Sequence, residues 1–142
     1  MEVGFFPGAF DLCHAGHMLA LKEAADNCSF LIVGLHSNLN LDRKEKSVPI
    51  MSMEEREIIL RGIKYVALIV PYDTESDLIA WVKKLKPSVY FIGEDWKGKE
   101  FSAQKTCEEL KIKVHYVSRQ HPYSSSELRK RICLKELSTL EN

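Results

Sequence analysis

Short apolar, β-rich runs alternate with stretches of helical periodicity along all 142 residues of this chain, and that alternation constrains its fold more than any other feature. Val3 to Phe6 reads as a strand ended by Pro7-Gly8. From Gly16 to Asn27, Met18, Leu19, Leu21, Ala24 and Ala25 recur at helical spacing. Phe30 to Leu35 is a continuous apolar run, the pattern of a strand covered on both faces. Ser52-x-x-Glu55 forms a capping box ahead of a helix through Ile58, Ile59, Leu60 and Ile63. Ala67 to Val70, closed by Pro71, reads as the third strand. Thr74 or Ser76 caps a helix carrying Leu78, Ile79, Trp81, Val82 and Leu85, stopped by Pro87. Val89 to Ile92 is a strand, Ser102 to Leu110 a short helix, Val114 to Val117 a fifth strand, and Ser125 to about Leu137 the last helix.

Strand and helix in strict alternation imply parallel strands joined by right-handed crossovers. The expected fold is therefore α/β: a doubly wound three-layer sandwich around a roughly five-stranded parallel sheet, in one domain spanning 1–142. Such sheets bind ligands at the carboxyl ends of their strands, near the point where strand order reverses. The loops after the first, second, fourth and fifth strands are the ones to read for function.

Charge narrows the ligand. Twenty Lys and Arg balance twenty Asp and Glu, which argues against nucleic acid or a membrane surface as a partner, since both call for a basic balance. A small anion needs only local positive charge. Cys13, Cys28, Cys107 and Cys133 form no C-x-x-C pair and no zinc-site spacing, so they read as small buried hydrophobes in a reducing compartment. With no signal peptide and no apolar stretch of spanning length, the expected location is the cytoplasm.

The segment Gly8-Ala9-Phe10-Asp11-Leu12-Cys13-His14-Ala15-Gly16-His17 carries the most chemistry. His14 and His17 flank Gly16 where a helix begins, and free helix N–H groups with the positive dipole end favour an anion there. Two imidazole N–H donors aimed at one place bind phosphate oxygens and stabilise charge developing in a transition state. Gly8 and Gly16 let backbone approach a ligand closely. Two plainer readings stay open: a metal site built from Cys13, His14 and His17 with a ligand from elsewhere, and ordinary loop and core histidines. Neither a P-loop nor a dinucleotide fingerprint is present.

This decapeptide resembles the signature of the HxGH nucleotidyltransferase superfamily, and its F-D-L-x-H-x-G-H wording is most similar to the cytidylyltransferase branch. Gly93-Glu94-Asp95-Trp96-Lys97-Gly98-Lys99 resembles the G-D-D-W-x-G-K stretch of bacterial glycerol-3-phosphate cytidylyltransferases. Arg119 to Ser126, R-Q-H-P-Y-S-S-S, aligns with their R-T-E-G-I-S-T-T motif. The resemblance implies a Rossmann-like fold, a homodimer, and transfer of CMP from CTP to a small phosphorylated alcohol with release of pyrophosphate. It implies Mg²⁺ as the cation accompanying the triphosphate. Adenylyl transfer to a sugar phosphate, pantetheine phosphate or flavin stays open within the same superfamily. A nucleotide-binding module without catalysis stays open outside it.

The implied roles fall on four loops. His14 and His17 serve the α-phosphate, with Gly8, Ala9, Phe10, Asp11 and Gly16 around the nucleotide. Lys46 and Lys44, in the polar stretch after the second strand, bridge triphosphate and acceptor phosphate; without the resemblance they read as a solvated charge run. Arg119 has its own physical reading as a bidentate phosphate clamp. Ser124, Ser125 and Ser126 bring hydroxyls and free N–H groups to a helix start. Beside Gly93, Asp95 offers an acceptor to a base amino group or ribose hydroxyl, and Trp96 a face for a base or a wall for the pocket, against the plain alternative of a Trp packed on the flank. Arg56, Arg61 and Lys64 read as surface or interface charges. Ala9 stands where the branch has Thr or Ser. His121 and Pro122 replace its Glu and Gly, Asn38 and Ala67 each replace an Asp, and the region from Tyr72 to Trp81 holds acids without the usual basic residue.

Overall fold

The computed structural model describes residues 1–37 and 48–141. Lys44, Lys46 and Asn38 lie outside the described residues. The chain runs β1 (Val3–Gly8), α1 (Ala15–Asp26), β2 (Phe30–His36), α2 (Met53–Arg61), β3 (Leu68–Tyr72), α3 (Glu75–Leu85), β4 (Val89–Gly93), a 3-10 turn (Glu94–Trp96), α4 (Gln104–Glu109), β5 (Lys113–Val117) and α5 (Ser125–Glu141). The five strands pair in parallel in the order β3-β2-β1-β4-β5. From β1 the chain winds outward to β3, then returns past β1 to lay down β4 and β5. The order therefore reverses between β1 and β4, and a crevice opens at their carboxyl ends.

The pleat sorts the core into two layers. Phe5, Ile32 and Tyr90 face one side, where Leu78 and Val82 of α3 and Ala103 and Cys107 near α4 close over them. Phe6, Leu31, Val33 and Phe91 face the other and meet Leu21 and Ala24 of α1 and Leu60 of α2. Each fully buried Leu or Phe contributes about 1.5–3 kcal/mol. A sheet covered on both faces explains why β2 is apolar without alternation.

The caps form as their residues require. Ser52 Oγ accepts from Glu55 N at 3.1 Å, and Glu55 Oε1 accepts from Ser52 N at 3.0 Å. At α3 it is Thr74, not Ser76, that caps, in a reciprocal bond with Asp77. Other boundaries move. β1 runs through Pro7 to Gly8, and β3 through Pro71 to Tyr72. Proline removes a ladder donor, but β1 pairs with β4 at Gly4 and Phe5, before Pro7, and β3 is an edge strand. Of the cysteines only Cys107 is buried; Cys13 and Cys28 are half-buried and Cys133 is exposed on α5. No helix among the described residues is long and apolar enough to cross a membrane.

Candidate active site

The turn between β1 and α1 is held in a costly shape. Phe10 and Leu12 both adopt φ 49°, in the left-handed region that disfavours residues with a Cβ. Asp11 between them offsets that cost. It is only 9% exposed, and its two carboxylate oxygens accept the N–H groups of Ile50 and Met51 at 2.8 and 2.9 Å. The segment entering α2 is thereby tied to the turn.

The turn ends in a cap made of two imidazoles. His14 Nδ1 accepts the Gly16 N–H at 3.0 Å, and His17 Nδ1 accepts the His14 N–H at 3.1 Å. This is the reciprocal capping box, with histidines where Ser and Glu usually stand. It settles the tautomers. A nitrogen that accepts from an amide carries no proton, so each neutral ring holds its proton on Nε2. Both rings line the same cavity, 4.0 Å apart between centroids. Their surroundings keep them neutral: burial, then His121 and Arg119, lowers the pKa of His14. Burial, then His14 and Arg119, pushes His17 down to about 4, against a smaller opposing pull from Asp11.

A histidine whose folded pKa lies below its ordinary value destabilises the fold when protonated. The unfolded chain takes up its proton near pH 6.5, the folded one near pH 4, so His17 costs nothing above pH 6.5. Stability falls as the pH drops through that window, by on the order of 3 kcal/mol for this group alone. Urea midpoints measured from pH 7 to pH 4 should show the decline; a His17→Asn variant should show a shallower one.

The cavity, about 470 Å³, lies at the point where strand order reverses and is within the range of small-molecule sites. The β1–α1 turn supplies Gly8, Ala9, Phe10, Asp11, His14, Gly16 and His17; Gly93, Arg119 and Ser124 to Ser126 come from the far side of the crevice. Ser125 Oγ lies 3.2 Å from His14 Nε2 and 3.4 Å from the Asp11 carbonyl, so it accepts from the imidazole and donates to the backbone. Ser124 Oγ caps α5 by accepting from Glu127 N. A Cβ on residue 93 would come within 2.8 Å of Arg119 Nε, so glycine there allows the guanidinium to lie against the end of β4. Two carboxylates pin the strap that carries Arg119. Glu94 accepts from Arg119 N and Gln120 Nε2, bonds that hold its carboxyl below the usual range, and Glu23 accepts from Ser118 N and pairs with His115.

Three expectations need correction. Asp95 does not line the cavity; its carboxylate faces Arg119 Nε at 3.4 Å. Trp96 packs against the core layer beneath α3 and α4, the plain alternative for this residue, rather than walling the pocket. Arg56 is no surface charge. It is 1% exposed and donates to four carbonyls: Met51 at 3.2 Å, Ala9 at 2.9 Å, His36 at 2.6 Å and Ser37 at 3.0 Å. One guanidinium thus knots together the ends of β1 and β2 and the entry to α2. The signal was present: Met53, Arg56, Leu60 and Ile63 share one helical face. Arg129 was also missed. It lines the cavity one turn beyond Ser125, with Nη2 3.4 Å from Ser126 Oγ.

Residues 5–131 match the cytidylyltransferase-like family. The chain belongs to that family. It is 35% identical over 124 residues to the glycerol-3-phosphate cytidylyltransferase of Bacillus spizizenii, covering 87% of this chain and 91% of that protein. It is also 35% identical over 132 residues to the bifunctional protein HldE of Campylobacter curvus, covering 92% of this chain and 27% of that protein. The chain spans only about a quarter of the length of the first HldE relatives it matches. Among solved structures, the lipopolysaccharide core biosynthesis protein of Thermoplasma volcanium superposes with a TM-score of 0.67 at 27% identity, over 83% of this chain and 95% of that one. Family membership bears out the resemblance read from the histidine decapeptide and its two companion segments.

Metal ligation by the protein fits poorly. Among the described residues, no group of three or more His, Cys, Asp or Glu side chains is arranged to hold an ion. Asp11, the one carboxylate lining the cavity among the described residues, has both oxygens engaged by backbone N–H groups.

Proposed function

We propose that this chain transfers a nucleotidyl group from a nucleoside triphosphate, CTP foremost, to the phosphate of a small phosphorylated alcohol such as glycerol 3-phosphate, releasing pyrophosphate. The observation that carries the reading is the reciprocal imidazole cap, which holds two neutral Nε2–H donors on a cavity at the sheet's switch point. The Bacillus relative, by its name, supports the choice of base and acceptor.

The reaction asks little covalent work of the protein. An acceptor phosphate oxygen attacks the α-phosphorus with its lone pair. The bond from that phosphorus to the bridging oxygen breaks, and the electron pair leaves with pyrophosphate. No proton has to move. Neutral Nε2–H groups suit this step because they stabilise charge growing on α-phosphate oxygens and keep their protons. His14 turns its donor from Ser125 to the phosphate, so Ser125 marks an oxygen position in the resting site. Arg119 with Ser124, Ser125 and Ser126 serves the β- and γ-phosphates, while Lys46 and Lys44 serve triphosphate and acceptor. Arg129 adds a second guanidinium to that wall.

Mg²⁺ belongs in this scheme as a companion of the triphosphate, held by phosphate oxygens and water rather than by the protein. A cytoplasmic homodimer completes the reading. Exposed Ile58 and Leu68, near the β3 edge, offer apolar surface for a second copy. Light scattering should give twice the chain mass; the mass of a single chain contradicts the dimer.

Pyrophosphate release, followed across the four triphosphates and a panel of phosphorylated acceptors with Mg²⁺, tests the function. CTP with a phosphorylated alcohol should turn over, and a chelator should stop it. A preference for ATP with a sugar phosphate, pantetheine phosphate or flavin acceptor moves the assignment to adenylyl transfer. Tight nucleotide binding without turnover by any pair identifies a binding module instead.

A further inference from the structure

The strap between β5 and α5 brings a third imidazole to this site, at a position where the family resemblance leads one to expect a carboxylate. His121 donates its backbone N–H to the Arg119 carbonyl at 2.8 Å. Its Nδ1 accepts the Tyr123 N–H at 3.2 Å, and its ring stacks on Tyr123 with centroids 5.5 Å apart and planes at 23°. One residue thus grips the strap on both sides, at the phosphate-clamping Arg119 and just before the α5 cap at Ser124. By the same reasoning as for His14 and His17, the neutral ring carries its proton on Nε2.

The strap also rests on α1. A Cβ built on Gly16 would lie 2.8 Å from His14 Cε1, 3.0 Å from His121 Cε1 and 3.0 Å from the Tyr123 carbonyl oxygen. The bare Cα of Gly16 is therefore the seat on which the His121 turn settles beside His14. Among the described residues, none of α5 is buried and its body contributes nothing to the core. What holds its first turn is the contact of Ser125 with His14 and Asp11, together with the turn on Gly16.

We propose that His121 is a positioning residue: seated on Gly16 and bonded through Nδ1 to Tyr123, it sets the spacing between the Arg119–Ser126 segment and the His14–His17 pair, and so the fit of a triphosphate between them. This rests on the nucleotidyl-transfer reading above. An imidazole in this place locks the turn without setting a negative charge beside the phosphates, as a carboxylate there would.

Three variants of the full chain decide it. Asparagine places Oδ1 where Nδ1 stood and keeps the Tyr123 bond; glutamine places its amide near Nε2 and loses that bond; alanine loses both. Dissociation constants for a non-hydrolysable CTP analogue are measured by calorimetry, alongside kcat and KM. His121→Ala and His121→Gln should weaken binding and raise the triphosphate KM by about tenfold, the equivalent of about 1.4 kcal/mol and the scale of one hydrogen bond. kcat should change by less than about threefold, as for lost uniform binding, and His121→Asn should restore affinity to within about threefold of the parent. Long-range nitrogen–proton NMR of the parent should show an unprotonated Nδ1 on His121.

Rescue by glutamine but not asparagine overturns the proposal, because it means that Nε2 touches the ligand directly. So does unchanged affinity in His121→Ala, or a proton on Nδ1. If alanine does not fold, the asparagine–glutamine pair carries the comparison. A parent protein that binds no triphosphate fails the functional reading itself and the proposal with it; a parent that binds and turns over while His121→Ala matches it fails the proposal alone.

Discussion

His17→Asn lowers turnover by about 10²–10³-fold, the usual cost of removing one preorganised donor from a developing oxyanion, and leaves the fold nearly as stable as the parent. Asparagine keeps an oxygen at the place of Nδ1, so the His14 N–H retains its acceptor and α1 its cap. What disappears is the Nε2–H. His17→Ala removes cap and donor together and loses about 1 kcal/mol of stability besides the rate. Steady-state kinetics with thermal melts on the same preparations separate the two effects. Near-normal kcat in His17→Asn contradicts the assignment of this ring to the α-phosphate.

The second large effect belongs to a residue remote from the chemistry. Replacing Arg56 with leucine leaves four carbonyls, those of Ala9, His36, Ser37 and Met51, without their shared donor in a place closed to water. Breaking a buried charged network of this kind costs about 3–5 kcal/mol, or roughly 10–17 °C in melting temperature for a chain of this size. Lysine does not repair it, since one ammonium cannot match a planar fork directed at separate carbonyls. Activity falls as well, even below the melting point, because Ala9 lines the cavity and Ser37 directly follows β2. Calorimetric melts of Arg56→Leu and Arg56→Lys check this; a melting temperature equal to the parent's would show that the guanidinium does not hold these segments together.

These two residues show what was legible before the fold was known. The strand–helix alternation, the Ser52–Glu55 capping box and the histidine turn are local patterns, written in spacings of two to four residues. They survive folding because the backbone bonds they satisfy are local too. Arg56 answers to carbonyls at the ends of β1 and β2 and at the entry to α2, segments that meet only in the folded chain, so its role is set by tertiary geometry even though its helical face pointed inward. Trp96 and Asp95 were misplaced for a similar reason. Their loop lies at the correct edge of β4, but the 3-10 turn Glu94–Trp96 leaves the indole against the α3–α4 core and the carboxylate on Arg119. Pro7 and Pro71 looked like strand ends because a proline lacks a donor; whether that donor was needed depends on which neighbouring strand reaches that level. Arg129 reads as one more charge on an exposed helix until the cavity places it beside Ser126.

Transfer of a nucleotidyl group to a phosphate leaves a direct signature in the phosphorus NMR of a single reaction. With CTP, Mg²⁺ and glycerol 3-phosphate, the acceptor phosphomonoester resonance should decline as a pair of diphosphate-ester resonances and one equivalent of pyrophosphate appear. Release of orthophosphate with the acceptor untouched, or a triphosphate that stays bound and intact beside every acceptor tried, contradicts it.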